Sequence, residues 1–435
     1  MVDQDQPGAN NTPAEGAPDP HPQTKPSRMS RRTKILIGAG AALVLILAAG
    51  GTAFALLNTG TSEPTTTAAT KSPSPKPATT PTPTPTTPAG PKPVKVIAMG
   101  DMLPHDSVNA NALQADGSYN YAPFFEGIKP ELDAADLTFC NLEVPTAGVD
   151  FGISGYPTFN APTEFARDLH GAAGCDLVNT ATNHTADKGT AGIAATRNAW
   201  DALQPSFVSG ANRSAEEQQV VPVVEKDGIR IALVSFAEYS NAPIDDVSLN
   251  LMSNDALVQQ LMAKARETAD VVIVSAHWGT EDSHEVNDQQ RGFAQKVADL
   301  GADVIIGTGP HVLQPTTWLN RADGGKTLVW YSIGNMLNTQ LTLDQRTGVI
   351  AGFELTKDGD TVQVTKPTAV LTYMHYDWTP AQEAANDLLA RNNLSITPLA
   401  GADELLARTT FGVSAAQQVE ASSAILGPDV TVLPK

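Results

Sequence analysis

Val271-Val272-Ile273-Val274-Ser275-Ala276-His277-Trp278-Gly279-Thr280-Glu281 opens as a charge-free, β-branched run and closes on an imidazole and a carboxylate. Such residues fit a pleated surface covered on both faces, so the run reads as a buried strand delivering polar groups at its carboxyl end. The same reading recurs along the chain. Val94–Met99 runs into Gly100-Asp101-Met102-Leu103-Pro104-His105, and Leu137–Cys140 into Asn141-Leu142-Glu143. Leu177–Thr180 runs into Thr182-Asn183-His184 with Asp187 beyond, and Val304–Ile306 into Gly307-Thr308-Gly309-Pro310-His311. Ile229–Phe236 and Leu328–Ser332 read as further strands. Thr163–Ala173, Thr190–Leu203, Asp255–Thr268 and Asp288–Leu300 read as helices between them. This alternation predicts an α/β layered domain with a largely parallel sheet. Val349–Leu355 and Val362–Thr372, joined by Lys357-Asp358-Gly359-Asp360, predict a β-hairpin. Ala381–Arg391 and Ser414–Leu426 are expected to be terminal helices.

In open α/β sheets, ligands gather outside the carboxyl ends of the strands. Five loops carrying Asp101, Glu143, Asn183-His184, His277 and His311 therefore predict one shared site. Taken singly, an Asp after Gly is an ordinary turn former and a strand-end His is an ordinary structural residue; recurrence at five strand ends is what points to function. Oxygen and imidazole donors without thiolates suit Mn, Fe or Zn, as one ion or two. A divalent metal there would activate water or polarise a phosphoryl or acyl oxygen. His105 and Glu281 are further candidates. Asn335 is a supporting donor or a turn former, and Trp278 floors the pocket or packs beneath it. Asp187 is expected to fix the Asn183-His184 loop by accepting backbone hydrogen bonds. His284 and Glu285 are expected to be solvated, and His170 and His375 structural.

The chain has 435 residues, about three times a typical domain of roughly 150. Residues 1–33 are poor in large apolar side chains and are expected to be a disordered cytoplasmic tail. Residues 34–58 contain an uncharged apolar run, Ile35–Leu57. As a helix at about 1.5 Å per residue it would span roughly 30 Å, the thickness of a bilayer core. A cleaved signal peptide and a buried core helix are the alternatives. The run exceeds the roughly 7–15 residues of a signal core, and a core helix would not sit between two polar stretches. Arg28, Arg31, Arg32 and Lys34 precede it, which predicts a single-pass type II protein of the cell membrane with its carboxyl-terminal domain outside the cytoplasm. Residues 59–93 are rich in Thr and Pro and are expected to be a disordered linker, as a wall-crossing stalk or a simple tether. The remaining domain covers 94–435. Of the net charge of −19, residues 96–435 hold −23, because 1–34 carry +1 and 58–95 carry +3. A body this acidic is a poor match for phosphate backbones, and no nucleic-acid partner is expected.

Two cysteines exclude a disulfide-dense miniprotein and a thiolate zinc module. Cys140 ends one strand and Cys175 precedes the start of the next. On parallel neighbouring strands these positions lie at opposite edges of the sheet, so two free thiols are expected.

Taken together, Gly100-Asp101, Asn141-Leu142-Glu143, Asn183-His184 with Asp187 and Gly189, and His277-Trp278-Gly279 with Glu281 form an ordered set. Pro310-His311-Val312-Leu313-Gln314-Pro315 and Tyr331-Ser332-Ile333-Gly334-Asn335-Met336 complete it. Over about residues 94–375 this set resembles the poly-γ-glutamate capsule-synthesis (CapA-type) family, itself related to the calcineurin-like metallophosphatases. The resemblance implies a four-layer α/β/β/α sandwich. It further implies Asp101 and His311 on a first metal, Glu143 as the bridging acid, and Asn183 and His277 on a second. His184 takes the position that orients or protonates a leaving group. Two positions depart from the pattern. Gly309 stands where the family usually has the first His of His-Pro-His, and Asp101-Met102-Leu103 lacks the Asp-x-His of true metallophosphatases. The stretch Tyr156–Pro162 has Asn160 where the family often has Arg. Two roles are implied. One is a metal-dependent hydrolase or phosphoesterase acting on an envelope polymer or phosphoester. The other is a non-catalytic subunit of a membrane polymer-synthase complex.

Overall fold

A computed structural model describes residues 92–204 and 206–435. The expected tail, membrane span and nearly all of the linker lie outside these residues. Among the described residues no helix is long and apolar enough to cross a membrane.

Two mixed sheets form the frame. In the first, the order is Asn392–Pro398, Thr361–Asp377, Thr347–Asp358, Val94–Met102, Leu137–Leu142, Leu177–Asn179 and Phe207–Ser209. The last four run parallel to one another, and the strand Thr347–Asp358 joins them antiparallel through Val94–Met102. The expected hairpin is present as Thr347–Asp358 with Thr361–Asp377, and the short strand Asn335–Leu337 pairs with the end of Val94–Met102. The second sheet runs Val223–Lys226, Ile229–Ala237, Val271–His277, Val304–Thr308, Lys326–Trp330 and Thr316–Asn320. Its four middle strands are parallel, with antiparallel edges.

Alternate side chains of both sheets meet in one core, where Val96, Phe139 and Leu177 of the first share a cluster with Ile231, Ile273, Ile306 and Trp330 of the second. The opposite faces are covered by helices. Phe165 and Leu169 of the helix Thr163–Gly171 cover the first sheet, beside Cys140 and Val178. Leu257, Leu261 and Met262 of Asp255–Thr268 and Phe293 and Val297 of Asp288–Asp299 cover the second. Their spacing of three and four residues is the apolar stripe that makes a helix pack on a sheet. Asn254 and Asn287 cap the two helices, the latter in a reciprocal capping box with Gln290. The result is four layers, helix, sheet, sheet, helix.

Every expected strand and all four interior helices are present, with ends shifted by a few residues. Two expectations are corrected. Ala381–Arg391 is not one helix: it is a short helix Pro380–Ala384 and a separate single turn, Leu388–Ala390, after Asn386 in a left-handed conformation (φ 51°). Cys140 and Cys175 are not free thiols: they form a disulfide, with Cα atoms 5.6 Å apart. The strands are parallel neighbours, and Cys140 stands opposite Val178. The second strand, however, is only three residues long and is not entered by straight extension. The chain drops from the helix Thr163–Gly171 through Gly174 (φ 72°), and Cys175 N donates to Leu169 O. Cys175 therefore lies over the sheet face, in the same core cluster as Cys140.

Candidate metal centre

The carboxyl ends of both parallel blocks open on the same place. Asp101 lies in the last turn of pleat of Val94–Met102, Glu143 follows Leu137–Leu142, and Asn183 follows Leu177–Asn179. From the second sheet, His277 ends its strand and His311 stands three residues beyond Val304–Thr308. Gly100 allows the close approach that completes the ring. A Cβ there would sit 1.8 Å from Gly334 O, while Asp101 N donates to that same carbonyl at 3.1 Å.

Asp101, Glu143 and His311 are buried, and their ligand atoms lie within 4.8 Å of one another. Asp101 Oδ1 accepts from Asn141 Nδ2 at 2.7 Å, and Asn141 Oδ1 in turn accepts from Asn179 Nδ2 at 2.5 Å. His311 Nδ1–H points to Asp101 Oδ2 and Asn335 Oδ1, both at 3.0 Å, which leaves Nε2 facing Glu143 Oε1 at 3.7 Å. His311 adopts φ 62°, a left-handed conformation that costs a non-glycine residue energy and is held here by those two acceptors.

His277 Nε2 lies 3.9 Å from Glu143 Oε1 and 3.0 Å from Asn183 Oδ1. Its Nδ1 meets the Thr308 hydroxyl at 3.0 Å. The Asn183 loop is tied to the acid beside it, because Thr182 Oγ1 donates to Glu143 O at 2.6 Å. His184 points Nδ1 at Asp187 Oδ2, 2.7 Å away, and Nε2 towards Asn241 Nδ2 at 3.4 Å. Asp187 Oδ2 also accepts Phe159 N at 2.7 Å, and the Phe159 ring stands edge-on to His184. The backbone donor to Asp187 is Phe159 and not the Asn183-His184 loop as expected; Asp187 holds that loop through the His184 side chain instead.

Glu143 is 0% exposed, and neither carboxylate oxygen has a hydrogen-bond partner among the described residues. An ionised carboxylate buried without partners costs several kcal/mol. Burial, and then the charge of Asp101, raises its proton affinity well above the ordinary range. Burial opposes the His311 imidazolium, but Glu143 and Asp101 outweigh it and push its pKa up to about 10. His277 goes the other way. Burial lowers it to about 4, so its ring is neutral at pH 7 with a lone pair to give. Two buried acids, Asp101 and the unpartnered Glu143, with two imidazoles around them form a donor set that fits a divalent cation, and protons balance the charge when none is bound.

The remaining candidates fall outside this group. His105 Nδ1 lies at Leu103 O (3.0 Å) and Thr339 N (3.3 Å), and burial followed by the Arg391 charge lowers it to about 3. Glu281 is exposed at the mouth, near enough for its charge to act on Glu143 and His311. Asn335 touches His311 and is anchored by Gln340 Oε1 and Gln345 O. Trp278 packs beneath the site with Nε1 on Tyr331 O, and His284 is half-buried on Leu313 O rather than free in solvent. Asn160 is buried, spanning Gly148 O, Gly152 O and Ala147 N, a loop clamp. Asn141 and Thr308 stood inside the strand-end stretches without an assigned role, and Asn179 was one more polar residue at a buried strand position.

Residues 95–340 match the profile of the family described as bacterial capsule synthesis protein PGA_cap, more than half of the chain. The chain belongs to that family. It is 28% identical over 186 residues to the PGA biosynthesis protein CapA of Bacillus subtilis (strain 168), covering 42% of this chain and 48% of that protein. It is 29% identical over 199 residues to the capsule biosynthesis protein CapA of Bacillus anthracis, covering 44% of each. The chain thus spans less than half the length of these two curated relatives. Among solved structures, the calcineurin-like phosphoesterase YfkN of Bacillus subtilis aligns over 64% of this chain and 90% of its own, at 13% identity and TM-score 0.35. The 5'-nucleotidase of Candida albicans SC5314 aligns over 61% and 48%, at 11% identity and TM-score 0.37. Likenesses this slight carry no weight for activity.

Proposed function

We propose that this family member is a membrane-anchored, extracytoplasmic, metal-dependent hydrolase or phosphoesterase acting in envelope-polymer synthesis or attachment. The observation that carries the chemistry is the orphaned Glu143 carboxylate, buried among Asp101, His277 and His311. Asp101, Glu143 and His311 would hold one divalent cation, and Asn183 and His277 would extend the set around Glu143 to a second. When bound, the cation supplies Lewis-acid polarisation of a substrate oxygen and a more acidic water.

The chain's own residues prepare that chemistry. Asp101 and Asn335 keep the His311 proton on Nδ1, so that Nε2 faces the cluster. Thr308 fixes the His277 ring from behind. Asp187 takes the Nδ1–H of His184, so Nε2 is the atom left to meet a leaving group, as donor when the ring is doubly protonated. The relatives named for PGA and capsule biosynthesis support a role in an envelope polymer, and a membrane synthase as partner is part of the same proposal. The outward topology follows from the charge flanking Ile35–Leu57, and the Cys140–Cys175 disulfide supports it, since such bonds persist in oxidising compartments.

A second reading, a non-catalytic subunit of the same assembly, is favoured by Gly309. A Cβ at that position would lie 2.8 Å from Trp278 O and 3.2 Å from His277 Nε2, so the missing imidazole has left no vacancy for a replacement. Metal analysis of the detergent-purified full chain separates the two. Stoichiometric Mn, Fe or Zn that is lost in Asp101→Ala and His277→Ala, together with hydrolysis of a generic phosphoester, supports the enzyme. Metal-free protein whose polymer-complex assembly is unaffected by those substitutions supports the subunit.

A further inference from the structure

Arg346 and Arg391 are 3% and 5% exposed, and neither forms an ion pair among the described residues. Burying a guanidinium without a counter-charge is costly, and two lie side by side here in a strongly acidic domain. The Tyr376 ring serves both, with Arg346 Cζ 3.8 Å and Arg391 Cζ 5.6 Å from its centroid. Tyr373 and Phe411 also face Arg346, each at 5.1 Å, and Trp378 faces Arg391 at 5.9 Å. Arg346 donates through Nε to Met374 O and through Nη2 to Tyr373 Oη, while Nη1 has no hydrogen bond among the described residues. Arg391 is satisfied by the carbonyls of Leu388 and Thr339. Two nearby acids are engaged elsewhere, and a third, Glu383, is exposed and lines the same cavity as Arg346. Asp377 binds His375, Asn393 and Arg408, and Asp106 accepts from Gly155 N.

Arg346 lines a cavity of about 30 Å³ with Tyr376, Trp378, Phe411 and Arg408, and the exposed Glu383 and Thr410 stand at its rim. That is room for about one or two water-sized groups, enough for a planar carboxylate and too little for a hydrated phosphate. Guanidinium and carboxylate match in planar, paired geometry, and the aromatic walls suit an apolar or planar body behind the acid. We propose that this cavity is a carboxylate-binding subsite, with Arg346 as its anchor and the Trp378 and Phe411 rings flanking the attached group. The subsite does not depend on a cation at Glu143. Leu341 and Arg346 of its lining belong to the segment Gln340–Arg346, whose Gln345 carbonyl accepts from Asn335 beside His311.

The test uses the detergent-purified full chain in phosphate-free buffer, titrated by calorimetry with hippurate, an aromatic carboxylate, and separately with inorganic phosphate. Hippurate is expected to bind saturably, and Arg346→Gln and Thr410→Phe are each expected to weaken it roughly tenfold or more while leaving metal content unchanged. Because Thr410 is exposed, Thr410→Phe decides the matter alone if Arg346→Gln fails to fold. Absence of saturable binding, or binding that survives Thr410→Phe, overturns the proposal. Phosphate bound as tightly as hippurate overturns the assignment to a carboxylate.

Discussion

The two halves of the candidate centre share Glu143 but are built to different standards. On one side, Asp101 and His311 are braced from behind by Asn141, Asn179 and Asn335. On the other, His277 and Asn183 contact each other at 3.0 Å, and the position that would add an imidazole is Gly309. The electrostatics divide in the same way. His311 is held protonated when no cation is present, whereas His277 is held neutral. The first half is therefore a site whose charge is balanced by either a proton or a metal, and the second has less charge to balance and less to hold a metal with. Two short motifs of similar appearance in the sequence thus differ in what supports them.

The largest effect should come from the residue common to both halves. Glu143→Gln is expected to lower divalent-metal affinity on the order of 100-fold or more, measured by competition with a fluorescent chelator. The same change removes a buried carboxylate that lacks hydrogen bonds among the described residues and leaves Asp101 facing His311, so the metal-free protein should melt close to the parent. A variant that keeps its metal would sever Glu143 from the centre altogether.

Proton linkage sharpens the contrast next. With His311 raised to about 10, a cation entering the first half must displace a proton. Its affinity should rise at least about tenfold per pH unit between pH 6 and 9, with one proton or more released per ion in calorimetry across buffers, since Glu143 is raised as well. His277 is already neutral there and should release none. The stability consequence has a definite sign. A folded-state pKa raised above the unfolded value contributes stability that is full below about 6.5 and is lost as pH rises through about 10. Glu143, also raised, acts in the same direction from its ordinary range upward. The metal-free protein should therefore lose stability on alkalinisation, and the metal-loaded protein should resist that loss. A flat proton count across both states would remove the asymmetry.

His311→Ala and His277→Ala test the halves one at a time. The former is expected to weaken the tighter ion about tenfold more than the latter, because His311 is held by two acceptors, Asp101 and Asn335, and His277 Nδ1 by the Thr308 hydroxyl alone. Equal losses would mean that the bracing by asparagines adds nothing to affinity.

How much of this was legible in sequence follows from what each feature depends on. The strand ends were legible because a buried parallel strand announces itself by a β-branched run, and Asp101, Glu143, Asn183, His277 and His311 each follow one directly. The layer order was implied by resemblance and is seen in the three cores. The Asn141–Asn179 relay was not legible, because an asparagine inside a strand gives no sign of which neighbour it will meet. The disulfide was missed for a related reason. The register of Cys140 against Val178 is what parallel pairing requires, but Cys175 departs from the strand path at Gly174, and a turn into a three-residue strand leaves no periodic trace. His105 and Arg391 fall in the same class, since His105 is lowered first by burial and then by the charge of Arg391, far away in the chain.

The smallest effect on metal binding is expected from the change that a motif comparison would recommend first. Gly309→His restores the family's usual residue, and if the second half lacked only an imidazole it should gain affinity. Gly309, however, adopts φ 105°, where side chains are strained, and its Cβ would press on the Trp278 backbone at 2.8 Å and on His277 Nε2 at 3.2 Å. Trp278 cannot yield easily, being 1% exposed with Nε1 fixed on Tyr331 O. The substitution should therefore cost about 1–3 kcal/mol of stability in denaturant unfolding and change metal affinity by less than about threefold. The loop has been rebuilt around the glycine, so the missing ligand is a property of the backbone and cannot be returned by a side chain alone. A variant that unfolds like the parent and binds a second equivalent of metal would show the two halves to be equal after all.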